Sequence, residues 1–503
     1  MRRIASEMGY RPDASIIKGL VDARWWPIVS VGLGPILGSF TFLAAETALP
    51  GNEHLNADAR VMLGIFVLTA WYWITAAIPP FATGVLIMGL GALFLGYPAK
   101  DGRPFAVPAG GSTITDWTDF IAPAAAPVVI LMLGGFILGK AAHKTGFDTL
   151  LARVLLTPFA ASPARLILGV LLVTAFLSMW MSNTATAVMM VTLVGPLCFS
   201  LDKSSKLRRA LLLAVPVGAN VGGIGTPIGT PPNAIAFGAL KAAGVELDFL
   251  GWMLFAVPVV VVLLLVAWAA LLVFYKFTDD DRAKSASLEM PPPQRGGLAA
   301  VVTAITFGFT VFLWVTSPWT GLPIAAAALV PLMVFTASGI MSRNDINTLE
   351  WDILLLIAGG LALGKGMEST GLAAWLVDQI PLAGLPAIAV IVVISSMTLL
   401  MSTLMSNTAT ANLLMPIALG LAGAAATTEG SESTAPAVLS LTQAGIAVAL
   451  GAGLAMGLPV STPPNAVSFA AGGLSVFDFL RIGAIIGVAG LAATLVVCML
   501  LGG

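Results

Sequence analysis

The pentapeptide Ser-Asn-Thr-Ala-Thr at 182–186 lies in the middle of the apolar stretch 163–201, and it recurs unchanged at 406–410 in the middle of a second apolar stretch, 384–424. Each stretch is about twice as long as the roughly 20 residues that a helix needs to cross the hydrocarbon core. A polar cluster at mid-length therefore favours a helical hairpin that enters and leaves the membrane by the same face. The two copies predict two such hairpins.

A second motif interrupts an apolar span in each half of the chain. Thr-Pro-Pro-Asn-Ala occupies 230–234 within the span 210–240, and it recurs at 462–466 within the span 441–473. Two prolines remove two backbone amide donors and disfavour a helical conformation at the preceding residue. We therefore expect each of these spans to be a helix that is broken in the middle.

The duplicated motifs define an inverted repeat. A Gly-Gly-x-x-x-Gly-Lys segment at 134–140 recurs at 359–365, so three motifs follow one another in the same order and at similar spacing in both halves. An odd number of predicted crossings separates equivalent points, which gives the two copies opposite orientations in the bilayer. Inverted repeats with broken helices near the midplane are typical of secondary transporters. The eleven predicted crossings are 27–48, 60–78, 81–97, 125–142, 210–240, 251–275, 298–317, 322–341, 352–367, 441–473 and 480–500.

The predicted domain organisation follows from the repeat and from the distribution of charge. The basic amino terminus is expected in the cytoplasm, and the loops threaded to that side carry most of the Lys and Arg. The first hairpin then opens from the cytoplasm and the second from the opposite face. The successive units are scaffold spans at 1–124, a first repeat core at 125–275, a cytoplasmic linker at 276–297, further scaffold spans at 298–350 and a second repeat core at 351–503.

The composition excludes several other classes of protein. Of the 503 residues, 58% are hydrophobic and only 10% are charged, whereas a soluble domain carries about 25% charged residues. A net charge of −1 provides no basic excess for binding nucleic acid. Two His are too few for a zinc site, and no HExxH or CxxC pattern accompanies them. The sequence also contains no recognisable acid, base or metal constellation of a membrane-embedded enzyme. A passive channel is disfavoured because an inverted repeat suits alternating access.

The duplicated motifs have the chemistry of a site for a cation and an anion. Backbone that turns at a hairpin tip leaves amides and carbonyls without helical partners, which costs several kcal/mol each in hydrocarbon unless water or a ligand compensates. Hydroxyl and carboxamide groups suit both a hard cation and a carboxylate. Apart from Arg165, no charged residue or His lies within 163–201 or 210–240. The affinity for an anion should therefore depend on co-bound cations, which is the thermodynamic basis of coupling.

The paired motifs resemble those of the divalent anion/sodium symporter family over about 125–500. The resemblance implies an all-α polytopic membrane protein with about eleven transmembrane helices and two re-entrant hairpins, a homodimer, and an elevator movement of the domain that contains both hairpins. The implied ligands of the first sodium site are Ser178, Ser182, Asn183 and Gly229, and those of the second are Ser402, Ser406, Asn407 and Ser461. The implied dicarboxylate contacts are Ser182, Asn183, Thr184, Thr230, Ser406, Asn407, Thr408, Thr462 and Pro463.

The expected function is Na⁺-coupled import of C4 dicarboxylates such as succinate across a bacterial inner membrane, with lipid around the protein. Moving a dianion into a cell that is negative inside costs about 4.6 kcal/mol per 100 mV, so at least two Na⁺ are needed to cancel its charge. Two alternatives on the same fold stay open: a Na⁺-independent dicarboxylate exchanger, and a transporter of sulfate or a tricarboxylate. Lys140 and Lys365, which end the repeated glycine segments, are expected to extend to opposite membrane interfaces.

Overall fold

The computed structural model describes residues 25–47, 55–96, 116–202, 205–278, 281, 297–379, 385–427 and 439–501. Within these ranges every regular element is a helix, which confirms the all-α class. The predicted cytoplasmic segment before the first helix lies outside the described residues, as does most of the predicted linker at 276–297.

The helices of both halves have bounds close to the predicted apolar spans. In the first half they are Trp25–Thr47, Ala57–Thr75, Pro80–Phe94, Thr118–Ile121, Pro127–Thr145, Phe147–Leu156, Pro163–Ser178, Asn183–Ser200, Lys206–Gly223, Pro231–Ala242 and Phe249–Phe274, with 3₁₀ turns at Ala122–Ala125 and Thr157–Phe159. In the second half they are Leu298–Thr320, Ile324–Ala337, Arg343–Asn347, Trp351–Ser369, Leu372–Asp378, Ala387–Leu404, Asn407–Thr427, Leu441–Gly453, Pro463–Ala470 and Val476–Leu501.

Several of these helices have the length and composition of membrane spans. In the described part of the chain seven helices qualify, or eight if the bent pair Trp351–Ser369 and Leu372–Asp378 is counted as one span. Two of the seven, Asn183–Ser200 and Ala387–Leu404, are arms of the predicted hairpins. Length and composition do not distinguish a crossing from a re-entrant arm, so the count of eleven crossings stays a prediction.

Large apolar side chains project outward from the long helices. Leu298 is 80% exposed, Val273 71% and Val488 70%. Such side chains on an exposed face are unfavourable in water and favourable against lipid. The surface of these helices therefore fits an integral membrane protein.

Both predicted hairpins are two helices joined by a short non-helical tip. The first hairpin consists of Pro163–Ser178 and Asn183–Ser200, and its first tip is 179–182. The second hairpin consists of Ala387–Leu404 and Asn407–Thr427, and its second tip is 405–406. Each Ser-Asn-Thr motif thus lies where the second arm of a hairpin begins.

Both Thr-Pro-Pro-Asn spans are broken helices, as predicted. The first broken helix has a long arm, Lys206–Gly223, and a short arm, Pro231–Ala242. The second has a long arm, Leu441–Gly453, and a short arm, Pro463–Ala470. Each short arm begins at a proline, since a first helical residue needs no backbone amide donor.

The hairpins and broken helices of the two repeats interlock. The first arm of each hairpin packs along the long arm of the broken helix in its own repeat. The second arm of each hairpin packs against the short arm of the other repeat. Each short arm also contacts the long arm of the other repeat. Both breaks are therefore surrounded by elements from both halves of the sequence.

The repeated Gly-Gly-x-x-x-Gly segments serve close helix packing. A Cβ atom on Gly359 would lie 2.2 Å from the Cα of Gly84, and one on Gly134 would lie 2.6 Å from the carbonyl oxygen of Ala328. Small residues allow helix backbones to approach this closely in a membrane. These contacts join Trp351–Ser369 to Pro80–Phe94, and Pro127–Thr145 to Ile324–Ala337.

Candidate functional site

Three oxygen atoms converge where the first hairpin meets the first broken helix. Ser178 Oγ lies 2.6 Å from Asn183 Oδ1 and 2.8 Å from the carbonyl oxygen of Ala219. Ser178 is fully buried at the end of the first arm, and Asn183 begins the second arm. The turn at the first tip therefore brings two predicted sodium ligands onto one backbone carbonyl of the long arm.

The second repeat builds the same cluster from equivalent residues. Ser402 Oγ lies 2.8 Å from Asn407 Oδ1 and 3.1 Å from the carbonyl oxygen of Ala452. Ser402 is also fully buried. The sequence identified the Ser and Asn of both clusters but neither alanine, because a backbone carbonyl has no side-chain identity that a motif could reveal.

Each cluster places two acceptor oxygens around one serine hydroxyl. A serine hydroxyl has one hydrogen, so it can donate to the carboxamide oxygen or to the carbonyl but not fully to both. The Ala452 carbonyl also accepts from the backbone amides of Leu454 and Ala455, so the serine hydrogen matters most to the carboxamide oxygen. Hydroxyl, carboxamide and carbonyl oxygens are the ligands that a hard cation prefers. The arrangement is therefore suited to a small hard cation in each repeat.

The asparagine of each Thr-Pro-Pro-Asn motif holds its break together. Asn233 Nδ2 donates to the carbonyls of Gly223, Ile224 and Thr226 at 2.8–3.0 Å. In the second break, Asn465 Nδ2 donates to the carbonyls of Met456 and Leu458. The last carbonyls of a helix have no partner within it, and these side chains supply one. Several carbonyls in and just before each break thus receive a side-chain hydrogen bond.

Hydroxyl groups connect each break to the hairpin tip of its own repeat. Thr226 Oγ1 donates to the carbonyl of Met179, and Ser461 Oγ donates to the carbonyl of Thr403 at 2.9 Å. Gly229 packs on the carbonyl of Gly223, where a Cβ would lie 2.3 Å from that oxygen. A Cβ on Gly223 would in turn lie 2.7 Å from Asn183 Oδ1. The structure therefore brings Gly229 and Ser461 to the same two tips as the other predicted sodium ligands.

The remaining predicted contacts differ in how they are held. Thr462 is the N-cap of its short arm and accepts from the amide of Asn465, whereas Thr230 caps its own arm without a side-chain hydrogen bond. Thr408 is 9% exposed and Pro463 lies at the surface. Ser182 and Thr184 are half-buried and Ser406 is exposed. Ser182, Thr184 and Ser406 therefore lie at the tips, but the described residues show no hydrogen bond from them to the motifs of the other repeat.

Two ionisable side chains reach the first tip from other parts of the chain. A cavity of about 160 Å³ is lined by Ser182, Lys140 and Glu350, among others. Burial raises the pKa of the Glu350 carboxyl, while the Ser182 hydroxyl and the Lys140 charge oppose that shift. Glu350 Oε2 is buried and has no hydrogen-bond donor in the described part of the chain. Sequence analysis missed Glu350 because it lies outside every repeated motif.

A second cavity lies away from both tips. It measures about 1330 Å³ and is lined by Lys365 and Lys241, by acidic residues that include Glu368, and by apolar residues of Pro127–Thr145 and Ile324–Ala337. None of the predicted sodium or dicarboxylate ligands lines it. The two repeated lysines therefore have different surroundings, since Lys140 lies beside a motif and Lys365 does not.

The chain is similar in sequence to known transporters. The citrate transporter family model matches residues 66–444. The sodium-dependent dicarboxylate transporter SdcS of Staphylococcus saprophyticus is 29% identical over 493 residues, covering 91% of this chain and 88% of that protein. An uncharacterized transporter of Haemophilus influenzae is 29% identical over 478 residues, covering 89% of this chain and 92% of that protein.

A solved structure shares the fold. The YdaH transporter of Alcanivorax borkumensis aligns with a TM-score of 0.50 at 14% identity, covering 84% of this chain and 98% of that one. The family match spans most of the 503 residues and includes both hairpins and the first break. This protein is therefore an integral membrane transporter, not an enzyme, and it belongs to the citrate transporter family, among the divalent anion/sodium symporters that its paired motifs resemble.

Proposed function

We propose that this protein imports C4 dicarboxylates such as succinate, coupled to at least two Na⁺ ions. The observation that carries the proposal is the duplicated oxygen cluster, in which one serine hydrogen faces two acceptors in each repeat. The staphylococcal relatives, whose names describe sodium-dependent dicarboxylate transporters, support the same assignment.

Each Na⁺ would be ligated by neutral oxygen atoms only. In the first repeat the ligands are Ser178 and Asn183 with the Ala219 carbonyl, joined by Ser182 and Gly229. In the second repeat they are Ser402 and Asn407 with the Ala452 carbonyl, joined by Ser406 and Ser461. Two bound Na⁺ supply the positive charge that attracts a dianion, so substrate affinity rises when the cations bind.

The dicarboxylate would bind between the two tips and the two breaks. Hydroxyls of Thr184 and Thr408 at the tips and of Thr230 and Thr462 at the breaks donate to its carboxylates, with Pro463 beside it. The amino-terminal end of each short arm adds a favourable dipole for an anion. This geometry binds carboxylates without a buried lysine or arginine.

The wider organisation belongs to the same proposal. A homodimer in a bacterial inner membrane, with a cytoplasmic amino terminus, would hold the scaffold spans fixed. The domain containing both hairpins would then move as an elevator and expose the site alternately to each side.

Uptake into proteoliposomes tests this function. Radiolabelled succinate should accumulate only with an inward Na⁺ gradient, and protein-free vesicles should show no accumulation. Uptake that ignores Na⁺ but requires internal dicarboxylate would replace symport by exchange. Competition by unlabelled citrate or sulfate, stronger than by succinate, would move the substrate to a tricarboxylate or to sulfate, and the family description makes citrate the first of these to test.

A further inference from the structure

The two breaks differ in one buried side chain that crosses between the repeats. Asn220, on the long arm of the first broken helix, donates from Nδ2 to Thr462 Oγ1 at 3.1 Å and to Asn465 Oδ1 at 3.1 Å. Asn220 is 4% exposed, Thr462 4% and Asn465 1%. Both amide hydrogens of Asn220 are therefore used on the second break.

Among the described residues, the first break receives no such contact. Ala219 and Ala452 are equivalent because their carbonyls face Ser178 and Ser402, so the residue equivalent to Asn220 is Gly453. A Cβ on Gly453 would lie 3.0 Å from Ile224 Cγ1, which leaves little room for a polar side chain. Asn233 Oδ1, the counterpart of Asn465 Oδ1, is accordingly buried without a donor among the described residues.

Asn220 changes what the Thr462 hydroxyl can do. Thr462 Oγ1 accepts from Asn220 Nδ2 and from the backbone amide of Asn465, at 3.1 and 3.3 Å. A hydroxyl oxygen has two lone pairs, so both are occupied and the hydroxyl interacts further only as a donor. Its own hydrogen has no acceptor in the described part of the chain.

The long arm of the first broken helix also contacts the carboxyl end of the short arm of the second. Arg208 donates to the carbonyls of Ala471 and Gly472, and Arg209 donates to the carbonyl of Gly473. Cationic groups are favourable at the carboxyl end of a helix. The equivalent residues of the second long arm are Leu441 and Thr442, which offer no charge to the first short arm.

We infer that Asn220 is a positioning residue that makes the Thr462 hydroxyl an obligate donor to a substrate carboxylate, so that the second break is the tighter carboxylate subsite. This inference rests on the proposed function, since it requires a carboxylate substrate. It extends that function by ranking the two breaks and by assigning a role to a residue outside both duplicated motifs.

A double-mutant cycle tests the inference. The KM for succinate is measured in proteoliposomes at saturating Na⁺ for the wild type, Asn220→Ala, Thr462→Val and the double variant. Each single change should raise KM about tenfold, the effect of losing one hydrogen bond to a charged group. The double variant should resemble Thr462→Val, because Asn220 acts through that hydroxyl. KM does not depend on the fraction of protein that folds.

The matched control is the threonine of the first break. Asn220→Ala combined with Thr230→Val should show multiplied effects, since these residues share no contact. Multiplied effects in the Asn220 and Thr462 pair as well would overturn the inference. Absence of Na⁺-driven uptake by the wild type would instead refute the proposed function.

A second variant, Asn220→Asp, keeps the shape of the side chain but replaces its hydrogen-bond donor by an acceptor. In Asn220→Asp the carboxylate accepts the Thr462 hydrogen and withdraws it from the substrate. KM should therefore rise further than in Asn220→Ala. A KM for Asn220→Asp equal to that of the wild type would show that only the shape of residue 220 matters and would also overturn the inference.

Discussion

The two hairpin tips share one pentapeptide and one oxygen cluster, but they differ in what covers them. Ser182 at the first tip is half-buried beside Lys140 and Glu350. At the second tip Ser406 is exposed, and its neighbour Leu404 is 83% exposed. The duplicated residues therefore account for the oxygen clusters that the tips share, whereas neighbours such as Glu350 account for the difference in burial and nearby charge.

The two breaks likewise share their motif residues and differ in the residues that contact them. Both use Pro at the start of the short arm and Asn to bond the preceding carbonyls. Within the described ranges, a side chain of the opposite repeat, Asn220, bonds the second break but none bonds the first. The second break is nevertheless the more open one, since Val460 within it is 84% exposed while Ile228 in the first is 5% exposed. A loop that faces open space keeps a defined shape if buried side chains hold its ends.

The largest expected effect would show whether the two clusters are equally necessary. Asn183→Ala and Asn407→Ala each remove one cluster oxygen at the first residue of a hairpin arm, so each should reduce Na⁺-driven succinate uptake by at least about 100-fold. Thr192→Val, an exposed position on the same helix as Asn183, should leave uptake unchanged. If only one of the two asparagines matters, the clusters do not have equal roles.

A smaller effect is expected from the charge that lies beside the first tip. Glu350→Gln removes the negative charge beside the first tip and should raise the Na⁺ concentration for half-maximal uptake about fivefold, which corresponds to ~1 kcal/mol. Asp352→Asn, an exposed acid two residues further on, is the control and should have little effect. Equal effects of the two variants would mean that the charge acts at long range and not at the first tip.

The smallest effect concerns the segment that covers the first tip. Lys144 and Asp345 form an ion pair that connects the helix Pro127–Thr145 to the short helix Arg343–Asn347, which precedes Glu350. The pair is partly exposed, so Asp345→Asn should reduce the free energy of unfolding by only about 0–1 kcal/mol at pH 7. Thermal melting of the purified protein in detergent measures this difference.

The pH dependence of that pair has a definite sign. Hydrogen bonds from Lys144 and Ser342 lower the pKa of Asp345 to about 2. A lowered carboxyl pKa gives stability that is present above the ordinary value of 3.8 and is lost as the pH falls through about 2. The melting difference between Asp345→Asn and the wild type should therefore shrink as the pH falls from 5. A difference that grows on acidification would contradict the ion pair.

Much of the fold could be predicted from the sequence because the signals were local. Apolar length specified the helices, and two adjacent prolines specified each break without reference to the rest of the chain. The duplicated Ser-Asn-Thr motifs identified Asn183 and Asn407 because an unchanged pentapeptide at the middle of two apolar stretches is difficult to produce by chance. The number of crossings was harder to obtain, because hairpin arms and full spans have similar lengths and compositions.

What the sequence determined by itself was the pair of polar motifs and the helix interruptions that contain them, since these depend on the chemistry of neighbouring residues. The tertiary structure alone decided which carbonyls complete the clusters, that Asn220 bonds the opposite repeat, and that Glu350 lies beside the first tip. These contacts join residues far apart in the chain, and one of the contributing groups, the backbone carbonyl, is common to every residue. Only the packing of the helices selects among so many equivalent groups.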